Sequence, residues 1–133
     1  MGPIYGTVFM DMAEAGEGIE QIGAQQLHKM LSAGMEGLFQ IVDARMGDKT
    51  LVDTLSPAKD ALENGIKEGK KFCTVLEDMK AAAAAGRDAT RDMVAKYGRS
   101  SRLGERSRGV LDAGATSCCI ILTAMADGIL ELL

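Results

Sequence analysis

The sequence predicts an all-α fold, a bundle of antiparallel helices, and three observations carry that expectation. Apolar residues recur at i, i+3 and i+4 along most of the chain, and no useful stretch alternates at the strand period. Ala, Leu, Ile and Met must supply the core, since aromatics make up only 4% and Trp is absent. That composition suits close-packed helices better than sheets. Gly and Pro punctuate the pattern with short connections, which makes consecutive helices antiparallel neighbours. At 133 residues the chain is a single domain, 1–133, large enough to bury a core.

The elements follow in order. Pro3 suits a first helical position, and Ile4, Val8, Phe9 and Met12 repeat at helical spacing until Gly16 and Gly18 interrupt. A second, longer helix is expected from near Ile19. Its stripe is Ile19, Ile22, Leu27, Met30, Leu31, Met35, Leu38, Phe39 and Val42. His28 lies beside this stripe with no Cys, His or carboxylate at ligand spacing, and reads as a rim or surface histidine.

The polar segment A-R-M-G-D-K-T at 44–50 is a connection, after which Asp48 or Thr50 caps a third helix. Leu51, Val52, Leu55, Leu62 and Ile66 face inward there, Pro57 sits near the start or kinks it, and Gly69 ends it. A fourth helix runs from about Lys71, with Phe72, Val75, Leu76 and Met79 inward. It continues through Ala81–Ala85, is loosened or broken at Gly86, and reaches about Lys96. The last helix spans Ala113 to Leu132, with Cys118, Ile121, Leu122, Met125, Ile129 and Leu132 facing in.

Charge narrows the functional classes. The net charge is −4 and the pI about 5.0. Yet residues 87–108 hold seven Lys/Arg against three acids, a local excess of +4. A basic island on an acidic protein suits a small anionic ligand, not a nucleic-acid track. Cys73, Cys118 and Cys119 form no C-x-x-C pair, so no disulfide framework or zinc site is expected and buried apolar cysteines are. The N-terminus lacks a basic region of the signal-peptide kind, and the apolar run near Cys118–Met125 is too short to span a bilayer. A cytoplasmic protein with no membrane partner is expected.

The densest chemistry lies in G-R-S-S-R-L-G-E-R-S-R-G-V-L-D-A-G-A-T-S, residues 98–117. Arg99, Arg102, Arg106 and Arg108 carry fixed positive charge. Asp112 is placed to cap the last helix, whose free N–H groups make a ready phosphate site. The same residue types also fit a solvated Arg-rich loop ahead of a capped helix.

These residues carry a resemblance. G-R-S-S-R-L-G-E-R-S and D-A-G-A-T-S look like the signature of the dihydroxyacetone kinase nucleotide-binding domain. That domain is the L subunit of phosphotransferase-system-dependent dihydroxyacetone kinases and the C-terminal domain of ATP-dependent ones. G-P-I-Y-G-T at 2–7 and G-D-K-T-L-V-D at 47–53 match in the same order. The resemblance implies a barrel of antiparallel helices with nucleotide, ADP or ATP with magnesium, at one end. It places nucleotide contacts on Met1 and Gly2, Leu51, Arg99, and Asp112, Ala113 and Gly114. Arg99 would pair with phosphate oxygens, and Leu51 would offer an apolar contact to adenine. Met1 stands where the family usually has Ser, Leu51 where Met is common, and Ala113 where Pro is usual.

The resemblance covers about the last three fifths of the domain. The family's G-D-x-D-H-G segment, whose aspartates hold magnesium, has no counterpart here. Two functional expectations follow. One is a nucleotide-binding subunit or fragment that passes phosphate to dihydroxyacetone on a K subunit and is recharged by an M subunit. The other is a truncated, inactive helical binding module that keeps the Arg/Gly anion loop. An incomplete barrel would leave apolar faces for a second copy, so a homo-oligomer is expected.

Overall fold

The computed structural model describes residues 2–97 and 99–133, with the side chains of Arg99 and Ser100 outside the description. Among the described residues there are five α-helices and no strand: α1 (Gly2–Ala15), α2 (Ala24–Ile41), α3 (Val52–Lys67), α4 (Phe72–Ala89) and α5 (Ala113–Leu132). A 3₁₀ turn at Thr90–Asp92 and a kinked 3₁₀ segment at Arg99–Ser107 lie between α4 and α5. The all-α expectation holds.

The sequence stripes build the core. Leu31 and Leu38 of α2, Leu62 of α3, and Leu76 and Met79 of α4 are fully buried in one cluster. α3 is the central element: it packs on α2, α4 and α5, while α1 packs on α2 and α4 on α5. Small residues set the spacing. A β-carbon at Gly34 would lie 3.0 Å from the Val8 carbonyl oxygen, so α1 and α2 approach at glycine contact. The N-terminal end of α5 is tied down on two sides. Tyr5 Oη lies 2.6 Å from Ser117 Oγ, and Thr54 Oγ1 donates to the Ala115 carbonyl at 3.2 Å.

Several boundaries differ from expectation, each for a local reason. α2 starts at Ala24, not near Ile19, because the Gln26 side chain folds back to accept from the Gly23 N–H at 2.9 Å. Ile22 is left outside the helix and exposed. α4 ends at Ala89, not Lys96: Thr90 Oγ1 donates back to the Arg87 carbonyl at 2.6 Å and tightens the turn into 3₁₀ form. Gly86 neither breaks nor ends the helix.

Asp48 does not cap α3. It accepts from the Arg45 N–H at 2.8 Å, while Thr50 Oγ1 accepts from the Val52 N–H at 3.2 Å. Leu132 is 87% exposed and Phe9 41%, so neither faces the core. Cys118 and Cys119 are buried as expected, but Cys73 is exposed. The apolar run at 118–125 belongs to the longer α5, which by length and a mean hydropathy of 1.6 is apolar enough to cross a membrane. Its buried residues Ala115, Cys118, Cys119, Leu122 and Ala126 pack into the bundle.

Candidate functional site

A cleft of about 340 Å³ opens beside the N-terminal ends of α1, α3 and α5. Ile4 comes from the first sequence motif, Lys49, Thr50, Leu51 and Val52 from the second, and Asp112 and Gly114 from the third. Val42, Asp43, Ala44 and Tyr97 complete the wall. Motifs at 2–7, 47–53 and 112–117 thus meet in one place. Its size falls in the range that encloses small ligands, and its mostly aliphatic lining suits a flat apolar group.

The turn between α2 and α3 is shaped from within. Gly47 and Lys49 both have positive φ, 95° and 63°. The buried carboxylate of Asp53 accepts from the Gly47 N–H at 2.6 Å and the Thr50 N–H at 2.9 Å. These bonds fold 47–50 over the start of α3 and hold Leu51 at the cleft, 5% exposed. The Lys49 side chain turns inward, and its ammonium bonds three carbonyls of the 93–110 excursion.

At the opposite wall, Asp112 caps α5 as expected, with Oδ2 accepting from the Ala115 N–H at 2.8 Å. Its own N–H donates to Thr90 Oγ1 at 2.9 Å. Burial pushes the Asp112 carboxyl above its ordinary value. The Ala115 N–H and the Lys49 charge pull it back, and nearby Asp53 adds to the rise. Tyr5, whose hydroxyl meets Ser117, is likewise raised, chiefly by burial.

Of the expected contact residues, the structure brings Leu51, Asp112 and Gly114 together at the cleft. Gly2 is the exposed first residue of α1, and it is Ile4 that lines the cleft. Ala113 is exposed and outside the lining. Met1 lies outside the described residues, as does the side chain of Arg99. Arg102, Arg106 and Arg108 are exposed on the loop, and Arg108 is engaged with Glu105 at 3.0 Å and the Asp92 carbonyl at 2.6 Å.

Lys49, Asp53 and Tyr97 are site-shaping residues that sequence reasoning missed. A signal existed for Asp53: T-L-V-D at 50–53 has the spacing of a capping box ahead of an apolar run. The described residues do not fit a magnesium site. They hold no group of three or more His, Cys, Asp or Glu side chains placed to share a cation, and the cleft carboxylates are Asp43 and the helix-capping Asp112. They do fit the apolar part of a nucleotide, through Ile4, Val42, Leu51 and Val52.

Comparison with known proteins agrees with the sequence motifs. The DAK2 domain family matches residues 1–127. The ADP-binding subunit DhaL of PEP-dependent dihydroxyacetone kinase 1 from Listeria innocua is 37% identical over 124 residues, 93% of this chain and 57% of that protein. The corresponding Escherichia coli subunit is 32% identical over 125 residues, 94% of this chain and 60% of its own length. The ADP-binding subunit of the PTS-dependent dihydroxyacetone kinase from Lactococcus lactis is 31% identical over 126 residues, 95% of this chain and 57% of its own. The chain therefore spans under two thirds of the length of these relatives.

Proposed function

The chain belongs to the DAK2 domain family, and we propose that it forms the nucleotide-binding part of a dihydroxyacetone phosphotransferase with ADP as its ligand. One observation carries this reading: three motifs spread over more than a hundred residues line a single cleft with an aliphatic wall and a capped helix start. Leu51 and its aliphatic neighbours take the adenine. The backbone at Asp112, Ala113 and Gly114 faces the nucleotide at the start of α5, where N–H groups and the helix dipole favour anions. Gly2 keeps the entry to α1 free of a side chain. Arg99 supplies charge-assisted bonds to phosphate oxygens.

In this reading the phosphoryl group passes through the bound nucleotide to dihydroxyacetone on a K subunit, and an M subunit restores it. Magnesium, which the family uses with ADP or ATP, would need ligands beyond the described residues. A second copy covers exposed apolar residues such as Phe9, Met10 and Ile120, and a monodisperse monomer by light scattering removes that element. Localisation in the cytoplasm goes with the same reading.

A second reading, an inactive helical module that keeps the anion loop for docking, is favoured by the lack of a three-ligand cation group among the described residues. Calorimetric titration of ADP into the chain, with and without magnesium, separates the two. Binding that Leu51→Asp abolishes supports the nucleotide site, and tightening by magnesium supports the phosphotransferase. Saturable ADP binding unchanged by Leu51→Asp, or none in either condition, sinks the first reading.

A further inference from the structure

Lys49 is an unusual residue in three respects. It is the sole non-glycine residue among those described with a positive φ, 63°, a conformation that costs an L-residue energy. Its side chain is buried, with 2% of the residue exposed. Its ammonium donates to the carbonyls of Ser107 at 2.5 Å, Val110 at 2.6 Å and Met93 at 3.2 Å. Every one of these acceptors is a backbone carbonyl, and three acceptors use up all three N–H bonds of the group. Burying such a charge is tolerable only when its donors are satisfied in this way.

The acceptors have a pattern. Residues 93, 107 and 110 stand at the two ends of one chain excursion, so the ammonium closes its neck. Beyond Met93 the chain runs to Tyr97, and beyond Val110 it runs to Asp112 and Gly114, all at the cleft wall. Other bonds also draw the neck together. Ser107 Oγ accepts from the Ala95 N–H at 2.9 Å, and the Gly109 N–H donates to the Arg91 carbonyl at 2.7 Å. Those bonds join the two sides of the neck to each other. Lys49 joins both to the turn that leads into α3.

We propose that Lys49 is a positioning residue: its ammonium serves as an internal cation that holds 93–97 and 107–114 in register against the 47–53 turn. The inference for ligand binding rests on the nucleotide reading above, while the inference for the cleft's shape does not. Geometry, beyond charge alone, is required. A guanidinium spreads its N–H groups in one plane and cannot gather three converging carbonyls as a tetrahedral ammonium does. Lys49→Arg therefore fails along with Lys49→Met.

The test combines hydrogen–deuterium exchange by mass spectrometry with ADP titration on the wild-type chain, Lys49→Met and Lys49→Arg. Both variants should exchange at least tenfold faster in peptides covering 93–97 and 107–114, with α2, α3 and α4 unchanged. ADP affinity should fall at least tenfold in both. Unchanged exchange at the neck, acceleration spread evenly over the chain, or full retention by Lys49→Arg each overturns the proposal. Faster neck exchange with undiminished ADP affinity overturns the ligand-positioning role. If Lys49→Met does not fold, Lys49→Arg decides alone. If the wild-type chain binds no ADP, the nucleotide reading falls and neck exchange still decides what Lys49 does.

Discussion

The backbone carbonyl of Asp53 on α3 occupies the space where a β-carbon at Gly86 on α4 would have to go, with the Asp53 carbonyl carbon and Thr54 Cα each 3.1 Å from that point. Both partners are backbone, so neither can swing aside. The contact brings α3 and α4 into backbone contact at the residue whose side chain shapes the 47–50 turn. Helix packing and cleft geometry are therefore set at the same point.

Gly86→Ala should destabilise the chain by about 2–3 kcal/mol, as overpacking at an unyielding contact does. Intrinsic helix propensity alone would stabilise the variant by roughly 1 kcal/mol, so the two effects have opposite signs. Thermal unfolding followed by circular dichroism reads the balance, with a fall in Tm of roughly 10 °C expected for a domain of this size. A rise in Tm would mean that α3 and α4 do not approach at glycine contact.

The Asp53 carboxylate holds two backbone N–H groups while itself 1% exposed. Asp53→Ala leaves both donors without their acceptor and should cost about 3 kcal/mol, given about 1.5–3 for each hydrogen bond to a charged group. Asp53→Asn keeps one acceptor oxygen and should lose about half as much. Urea unfolding of the pair reads this. Asp53→Asn as stable as the wild-type chain would show that the carboxylate's second oxygen carries nothing.

The helices were legible because their stripes are local: Leu27, Leu31, Met35 and Leu38 are buried as their spacing implies. Helix ends were less so, since side chains set them by folding back, as Gln26 does on Gly23 and Thr90 on Arg87. Gly86 read only as a place where α4 loosens or breaks, because the backbone it packs against, at Asp53, is remote in sequence. The site was half legible. Leu51, Asp112 and Gly114 sit in recognisable motifs and reach the cleft, whereas Lys49 acts on carbonyls 44 to 61 residues away, which no local pattern records.

Thiol chemistry checks the packing of α5. Cys73 is exposed, while Cys118 and Cys119 are each 3% exposed. Burial, with the neighbouring Cys119 adding to it, pushes the Cys118 thiol up to about 12. A disulfide reagent at pH 8 should titrate one thiol per native chain quickly, and all three once the chain is unfolded. Because the folded value lies above the ordinary 9.0, the stability from this group is intact below about pH 9 and drains away as pH rises toward 12. Three fast thiols in the native chain would show that α5 does not pack as described.

Asp112 provides a pH test at the cleft itself. Its carboxyl is held above the ordinary value of 3.8, first by burial, so the folded chain binds this proton more tightly than the unfolded one. The stabilisation that results is complete below 3.8 and is lost as pH rises through the raised folded value. Asp112→Asn keeps an acceptor for the Ala115 N–H but cannot titrate. In urea melts at stepped pH, the wild-type advantage over Asp112→Asn should therefore be largest below the ordinary 3.8, shrink as pH rises through the raised folded value, and then level off. Asp112→Ala, which has no cap, should be about 1 kcal/mol less stable than Asp112→Asn at every pH. A wild-type advantage that grows with pH would mean the carboxylate is stabilised in the folded chain, by Lys49 and the α5 N–H groups, more than burial opposes it.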